Sequence, residues 1–327
     1  MPHMNHPGSS FFVFANKPNF TRIVGQDVCV VQRCCTKNHF EFIQLIRKLG
    51  MTIVYDLDDN MWEIPKFNPA YNALTAYREG FAACMQYVDV ISVSTKRLKR
   101  AVEKHVPLRR NPDTKLDIPI IVVENRIESR LFADPVARDE VTVGWAGSSS
   151  HMGDFDEMRD GLVEAAQQHP DVTFEFRGCP PPKEIEVLPN FRFKLWLPVA
   201  EFCSRMPTWG WSIGLAPLVD NNFNAAKSCI KMLESAYCGI PCLASHVDPY
   251  DNFCSHDPEL RWLLCYGKFQ WANKLRDLIN DKARREELGR RARKVAEDHY
   301  FWQEKHDGWQ QVFDAAKIAQ QRVVWGV

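Results

Sequence analysis

Residues 141–147 read VTVGWAG, an apolar, β-branched run that passes directly into the polar SSSH (148–151). Its place in the chain decides the fold, because a full series of similar runs precedes it. FFVFA (11–15), VCVVQ (28–32), TIVYDLD (52–58), VISVS (90–94) and IPIIVVEN (118–125) read as strands buried on both faces. Helical patterns lie between them at about 39–49, 70–87 and 95–105. From 141 the series starts again, with VTFEFRG (172–178), FRFKLWLP (191–198), WSIGLAPL (211–218) and PCLAS (241–245), and helices near 154–168, 225–238 and 268–280. Alternating strand and helix means a parallel, doubly wound sheet. A restart means two of them.

The stretch RLFADPVARDE (130–140) is polar, carries a proline and has no period, which suits a linker. The expected fold is therefore α/β, two Rossmann-like domains facing across a cleft, with residues 1–130 in the first and 131–300 in the second. The tail from about 283 to 320 is helical, and its Trp302, Trp309, Val312, Phe313 and Ala316 need a surface to cover. The last segment, 301–327, is expected to cross back and pack on the N-terminal domain. In an open parallel sheet, ligands sit beyond the carboxyl ends of the strands. That marks GSSSH (147–151), RGCPPP (177–182) and the stretch from APLVDN to IKMLE (216–234).

The bulk numbers agree with a soluble globular protein: 327 residues, 45% hydrophobic and 25% charged. No apolar run approaches the ~20 residues of a membrane span. MPHMNHPGSS lacks the basic-then-apolar pattern of a secretory signal, so a cytoplasmic location is expected. Eleven cysteines at irregular spacing suit reduced, buried thiols and suggest no metal cage.

Net charge is +0, but it is unevenly spread. Residues 1–127 hold 17 Lys and Arg against 12 Asp and Glu, net +5, and the remainder holds 24 against 29. Residues 94–110, STKRLKRAVEKHVPLRR, carry seven basic side chains and one acid. One reading is a solvated helix face, since Leu98, Ala101, Val102 and His105 form an i, i+3, i+4, i+7 stripe. The other is contact with a polyanion, either an acidic acceptor or an anionic membrane surface.

Two segments carry candidate chemistry. VYDLDDN (54–60) ends a strand on Asp56, Asp58 and Asp59, a pattern shared by metal-binding Asp-x-Asp motifs, by phosphatases of the haloacid-dehalogenase type, and by the floor of an acceptor site. Asp58 or Asp59 also suits a turn cap. In DNNFNAAKSCIKMLESAYCGIPCLAS (220–245), Lys227, Lys231 and Glu234 recur at i, i+4, i+7 beside an apolar face of Ile230, Leu233 and Tyr237. Paired lysines near a helix start suit a diphosphate, because unpaired N–H groups and the helix dipole favour anions there. Glu234, a turn deeper, can accept hydrogen bonds from vicinal hydroxyls such as those of a ribose. An amphipathic surface helix with i, i+4 ion pairs would show the same spacing.

This second segment resembles the nucleotide-sugar site of the retaining two-Rossmann (GT-B) glycosyltransferases whose signature ends Glu-x-x-x-x-Gly-x-Pro, here Glu234, Gly239 and Pro241. It is most similar to a bacterial and phage branch reading FN-x-x-KS-x-x-K-x-LE, matched by Phe223, Asn224, Lys227, Ser228, Lys231, Leu233 and Glu234. The branch also carries GWAGS-x-SH (Gly144 to Ser148, Ser150, His151), YDLDD, and an N-x-I matched by Asn125 and Ile127. The resemblance runs in order along nearly the whole chain. It implies that Glu234 binds the ribose and that Lys227 with Lys231 binds the diphosphate. Gly147, Ser148 and His151 would line the loop beneath phosphates and sugar, with Arg177, Gly178, Pro217 and Leu218 bordering the base. His151 and Lys227 join Asp56, Asp58 and Asp59 as candidate catalytic groups, the aspartates orienting or deprotonating an acceptor hydroxyl. The wider group has a second glutamate touching the sugar where this chain has Ala226, and Asn224 would substitute for it.

The implied reaction moves a hexose from a nucleotide-diphosphate sugar, a UDP-sugar by expectation, to an acceptor hydroxyl. It would proceed with retention and without metal or further cofactor. A cell-envelope glycan is the expected acceptor. The alternatives are a hydroxymethylated pyrimidine of phage-type DNA, for which the basic first domain offers phosphate contacts, and a non-catalytic nucleotide-sugar binder.

Overall fold

The computed structural model describes residues 23, 25–107, 109–113, 115, 117–137, 140–302 and 308–325. The expected strand at 11–15 lies outside them. By contact the chain forms two compact units. The first joins Met1–Ile64, Asn72–Glu124 and Gln303–Val327, and the second joins Pro65–Tyr71 and Asn125–Trp302. The chain thus changes unit at 64/65, 71/72, 124/125 and 302/303, whereas the sequence reading placed boundaries at 130/131 and 300/301.

The first unit is built on a parallel sheet of β1 (Val28–Gln32), β2 (Thr52–Leu57), β3 (Val90–Val93) and β4 (Ile120–Val122), in that order. Its central strands are buried on both faces, which accounts for their unbroken apolar character. Register sets Gln32 beside Asp56 and Asp56 beside Ser92, so three polar side chains line up at the carboxyl ends of neighbouring strands. Two details differ from the sequence reading. The helix expected over 70–87 is two, Tyr71–Thr75 and Arg78–Met85. The strand expected over 118–125 is paired only at Ile120–Val122.

The C-terminal helix Gly308–Trp325 lies on this sheet, against β2, β3 and β4. Trp309, Val312 and Ala316 are buried with Val54 and Val90, and Phe313 packs beside them. Trp302 does not join that face. It belongs to the second unit, where its backbone N–H donates to the Ile127 carbonyl and Arg130 lies 5.2 Å above its ring.

The second unit contains β5 (Thr142–Gly147), β6 (Thr173–Gly178), β7 (Phe191–Lys194), β8 (Ile213–Ala216), β9 (Cys242–Ser245) and β10 (Leu264–Cys265), all parallel. Spatial order is β10-β9-β8-β5-β6-β7. From β5 the chain winds outward through β6 and β7, then returns to the other side of β5 and winds outward through β8, β9 and β10. That is the doubly wound Rossmann order, and its reversal lies between β5 and β8. Right-handed crossovers in both directions leave a crevice at the carboxyl ends of those two strands, where such sheets bind ligands. The core around Trp145, Phe155, Phe174, Phe176, Ile213 and Leu233 lies beneath it. Together the two sheets show the expected α/β, two-Rossmann architecture.

Candidate functional site

Three segments meet at the reversal: the turn after β5, the loop after β8, and the helix Ile230–Tyr237 that follows that loop. The continuous helix expected over 225–238 is interrupted. A short turn of helix, Asn222–Ala225, capped by the Asn221 side chain, is followed by Lys227–Cys229 as a link. Lys227 therefore sits ahead of the helix and not on one face with Lys231 and Glu234. The first turn of Ile230–Tyr237 leaves N–H groups without intrahelical acceptors beside that link, and Gly239, at φ +65, ends the helix.

Lys231 points inward. Its Nζ donates to the Ala146 carbonyl at 2.5 Å and lies 5.2 Å from the Trp145 ring centroid. Gly147 makes room for it, because a Cβ there would fall 3.0 Å from that Nζ and 2.6 Å from the Trp145 ring. Burial lowers the Lys231 pKa, countered chiefly by the Glu234 charge. The Glu234 carboxyl has no hydrogen-bond partner among the described residues, and burial pushes its pKa up to about 7 against the opposing pull of Lys231. A half-buried carboxyl with its oxygens unengaged is suited to a ligand that brings hydroxyl donors. Lys227 extends over the Phe223 ring, its Nζ 4.5 Å from the centroid. Ser228 is held by the Asn125 side-chain amide at 2.8 Å.

On the other side of the reversal, Ser148 is exposed and its hydroxyl lies 2.7 Å from that of Ser150. His151 Nδ1 lies 2.9 Å from Asp154 Oδ2. Burial and the Lys231 charge lower the imidazole pKa to about 4, so the ring is neutral at physiological pH despite its carboxylate partner. Asn224, expected to reach the donor sugar, does not do so. Its side chain is buried, its amide donating to Asp154 Oδ1 and to the Val219 carbonyl, both at 2.9 Å. It braces the loop.

Arg177 and Gly178 stand at the end of β6, next to a small pocket lined also by Ala146, Leu195, Trp196 and Trp209. Arg177 is turned inward, bonded to Glu175 at 2.8 Å and stacked 3.9 Å over Trp209. Gly178, at φ +97, admits the Trp196 ring, which a Cβ would meet at 2.7 Å. Pro217 and Leu218 are buried at the end of β8, and the Leu218 N–H is held by Ser245 Oγ at 2.9 Å. The sequence reading missed Asp154 and Trp196. Asp154 carried one signal, its place three residues after His151.

In the first unit, Asp56 accepts from Gln32 at 2.7 Å and from Ser92 at 2.8 Å, and burial raises its pKa. Asp59 pairs with Arg33 at 2.8 Å, Arg33 having the unusual φ of 52. Asp58 offers its backbone carbonyl to Ser94 at 3.2 Å. Asn60, buried, closes the turn through the Trp62 N–H and Glu63. No cluster of three or more His, Cys, Asp or Glu among the described residues could hold a metal ion. On the helix Lys96–His105, Leu98, Ala101 and Val102 are buried as expected, and His105 stacks on Trp62 at 5.1 Å. Lys96, Arg97 and Arg100 are exposed on the opposite side. No helix of the described residues is long and apolar enough to cross a membrane.

No protein-family model and no curated protein matches the chain. Solved structures do. Sucrose-phosphate synthase from Thermosynechococcus elongatus superimposes with a TM-score of 0.62 at 14% identity, covering 90% of this chain and 74% of that one. Anabaena HepE, in complex with UDP and glucose, gives 0.57 at 13% identity, covering 92% and 77%. The pneumococcal O-GlcNAc transferase GtfA, in complex with UDP and GlcNAc, gives 0.52 at 14%, covering 86% and 55%. These neighbours are GT-B glycosyltransferases, and at such identities the likeness is one of fold.

Proposed function

We propose that this protein is a glycosyltransferase that takes a hexose from a UDP-sugar, bound at the β5/β8 reversal of its second unit, and moves it to an acceptor hydroxyl. One observation carries the reading above the others: at the reversal of a doubly wound sheet, an unengaged carboxyl on Glu234 lies one helical turn beyond an inward-pointing Lys231. A carboxylate to accept from ribose hydroxyls and an ammonium to meet a diphosphate are the two halves of a nucleotide-sugar site. UDP in the HepE and GtfA complexes supports uridine as the nucleoside.

Departure of the nucleoside diphosphate builds negative charge on the β-phosphate. Lys227, Lys231 and the N–H groups opening the helix Ile230–Tyr237 would stabilise that charge where it develops. These residues can do so without a metal ion. Ser148, His151 and Gly147 would face the sugar, and the pocket at Arg177, Gly178 and Trp196 would take the base. Retention at the anomeric carbon follows the family resemblance alone.

A cell-envelope glycan is the first acceptor to test, with Asp56, Asp58 and Asp59 in view for orienting or deprotonating the hydroxyl. Hydroxymethylated DNA is the second, supported by the exposed Lys96, Arg97 and Arg100. The test is a mass-detected screen of UDP-sugars against both acceptor classes, with Lys227→Ala and Glu234→Ala alongside. Transfer that collapses in both variants while they remain folded supports the site. Near-normal turnover in both refutes it.

A further inference from the structure

We propose that Asp154 is a positioning residue of this site: it joins the two loops across the β5/β8 reversal and holds the His151 imidazole in its Nδ1–H form, leaving Nε2 bare toward the ligand. The inference rests on reading the crevice as a nucleotide-sugar site.

Asp154 is 1% exposed. Its Oδ2 lies 2.9 Å from His151 Nδ1, in the loop after β5. Its Oδ1 accepts from the Val219 N–H at 3.0 Å and from the Asn224 amide at 2.9 Å, both in the loop after β8. One side chain thus ties together the two segments that a doubly wound topology leaves unconnected by sheet bonding. Both Oδ1 partners are obligate donors. A proton on that oxygen would face N–H groups, so Oδ1 acts only as an acceptor.

The carboxylate in turn fixes the imidazole. A neutral ring carries its proton on one nitrogen, and an anion 2.9 Å from Nδ1 selects that nitrogen. Double protonation is opposed by burial of the ring and by the nearby Lys231 and Lys227 charges. Nε2 has no hydrogen-bond partner among the described residues. It is left as an acceptor, suited to a hydroxyl of the donor sugar and unsuited to a carboxylate there.

The experiment is a long-range ¹H–¹⁵N spectrum of the histidine rings in the ligand-free protein at pH 7, with His151 assigned by its loss in His151→Gln. A neutral ring protonated at Nδ1 is expected, and Asp154→Asn should move His151 to the Nε2–H form or to a mixture. An imidazolium or an Nε2–H ring in the wild type overturns the proposal, as does an unchanged ring in the variant. If Asp154→Asn does not fold, the wild-type spectrum still decides. Because no substrate is present, the outcome is independent of whether the protein transfers sugar.

Discussion

The Lys231 ammonium rests 2.5 Å from the Ala146 carbonyl, bridging the helix that follows β8 to the end of β5. A cation is thereby held at the one place in the sheet where strand order reverses.

Replacing Lys231 with Ala is expected to cut transfer by roughly 10²–10³, the usual effect of losing one group that stabilises transition-state charge. Lys231→Arg should rescue little, since Nζ is packed so closely on Gly147 that a Cβ there would fall 3.0 Å from it, and a planar guanidinium is wider. Calorimetric titration with UDP separates binding from turnover, and unchanged UDP affinity in Lys231→Ala would remove the diphosphate from this position.

Glu234 gives a signed pH dependence. Its folded pKa of about 7 lies above the ordinary glutamate value of 4.5, so between those limits the folded protein holds a proton that the unfolded chain has released. Its contribution to stability is complete below about 4.5 and is lost as pH rises through about 7. Across that window, wild-type stability relative to Glu234→Gln should fall by up to about 1.4 kcal/mol per pH unit. Binding should run the other way. A nucleotide sugar, whose diphosphate loses no proton in this range, should bind the wild type more tightly at pH 8 than at pH 6 and Glu234→Gln equally weakly at both. Parallel pH profiles for the two proteins would exclude Glu234 as the ribose acceptor.

Much of this was readable in the chain because buried parallel strands announce themselves as apolar runs, and nine of the ten strands did so. The tenth, Leu264–Cys265, has only two paired residues and no period to detect. Lys231 and Glu234 were legible through their spacing. Lys227 was misplaced because nothing in AAKSCIK breaks a helical pattern. The interruption comes from tertiary contacts, with Asn221 capping the short turn before it and Asn125 holding Ser228. Asn224 and Asp154 look like loop polars in sequence. Only the folded chain shows them buried together, because a hydrogen bond spanning 70 residues leaves no periodic trace.

Glycine at 144 and 147 should be intolerant for different reasons. A Cβ on Gly144 would fall 1.9 Å from the Trp211 ring, itself tied to Glu175 at 2.9 Å, so Gly144→Ala must displace a buried indole. Overpacking of that kind costs about 1–3 kcal/mol, visible as a lower denaturation midpoint. Gly147→Ala also presses on Trp145, but it crowds the Lys231 ammonium as well. Its UDP affinity should therefore fall by more than its stability explains, whereas Gly144→Ala should bind UDP normally below its melting temperature.

The C-terminal helix tests how the chain closes its first unit. Trp309, Val312 and Ala316 cover Val54 and Val90 on the sheet carrying Asp56, although Trp309 stands 255 and 219 residues after them in the chain. Trp309→Ala is expected to cost about 3–5 kcal/mol and Val312→Ala about 2 kcal/mol, by loss of burial and the cavities left behind. The loss should be local, because these side chains pack on β2, β3 and β4 and belong to the first unit. Hydrogen exchange reads this directly. Amides of β2 and β3 should lose protection in Trp309→Ala while those of β5, β6 and β8 keep theirs. Equal loss in both sheets would mean that the two units unfold as one and that the helix stabilises the whole chain.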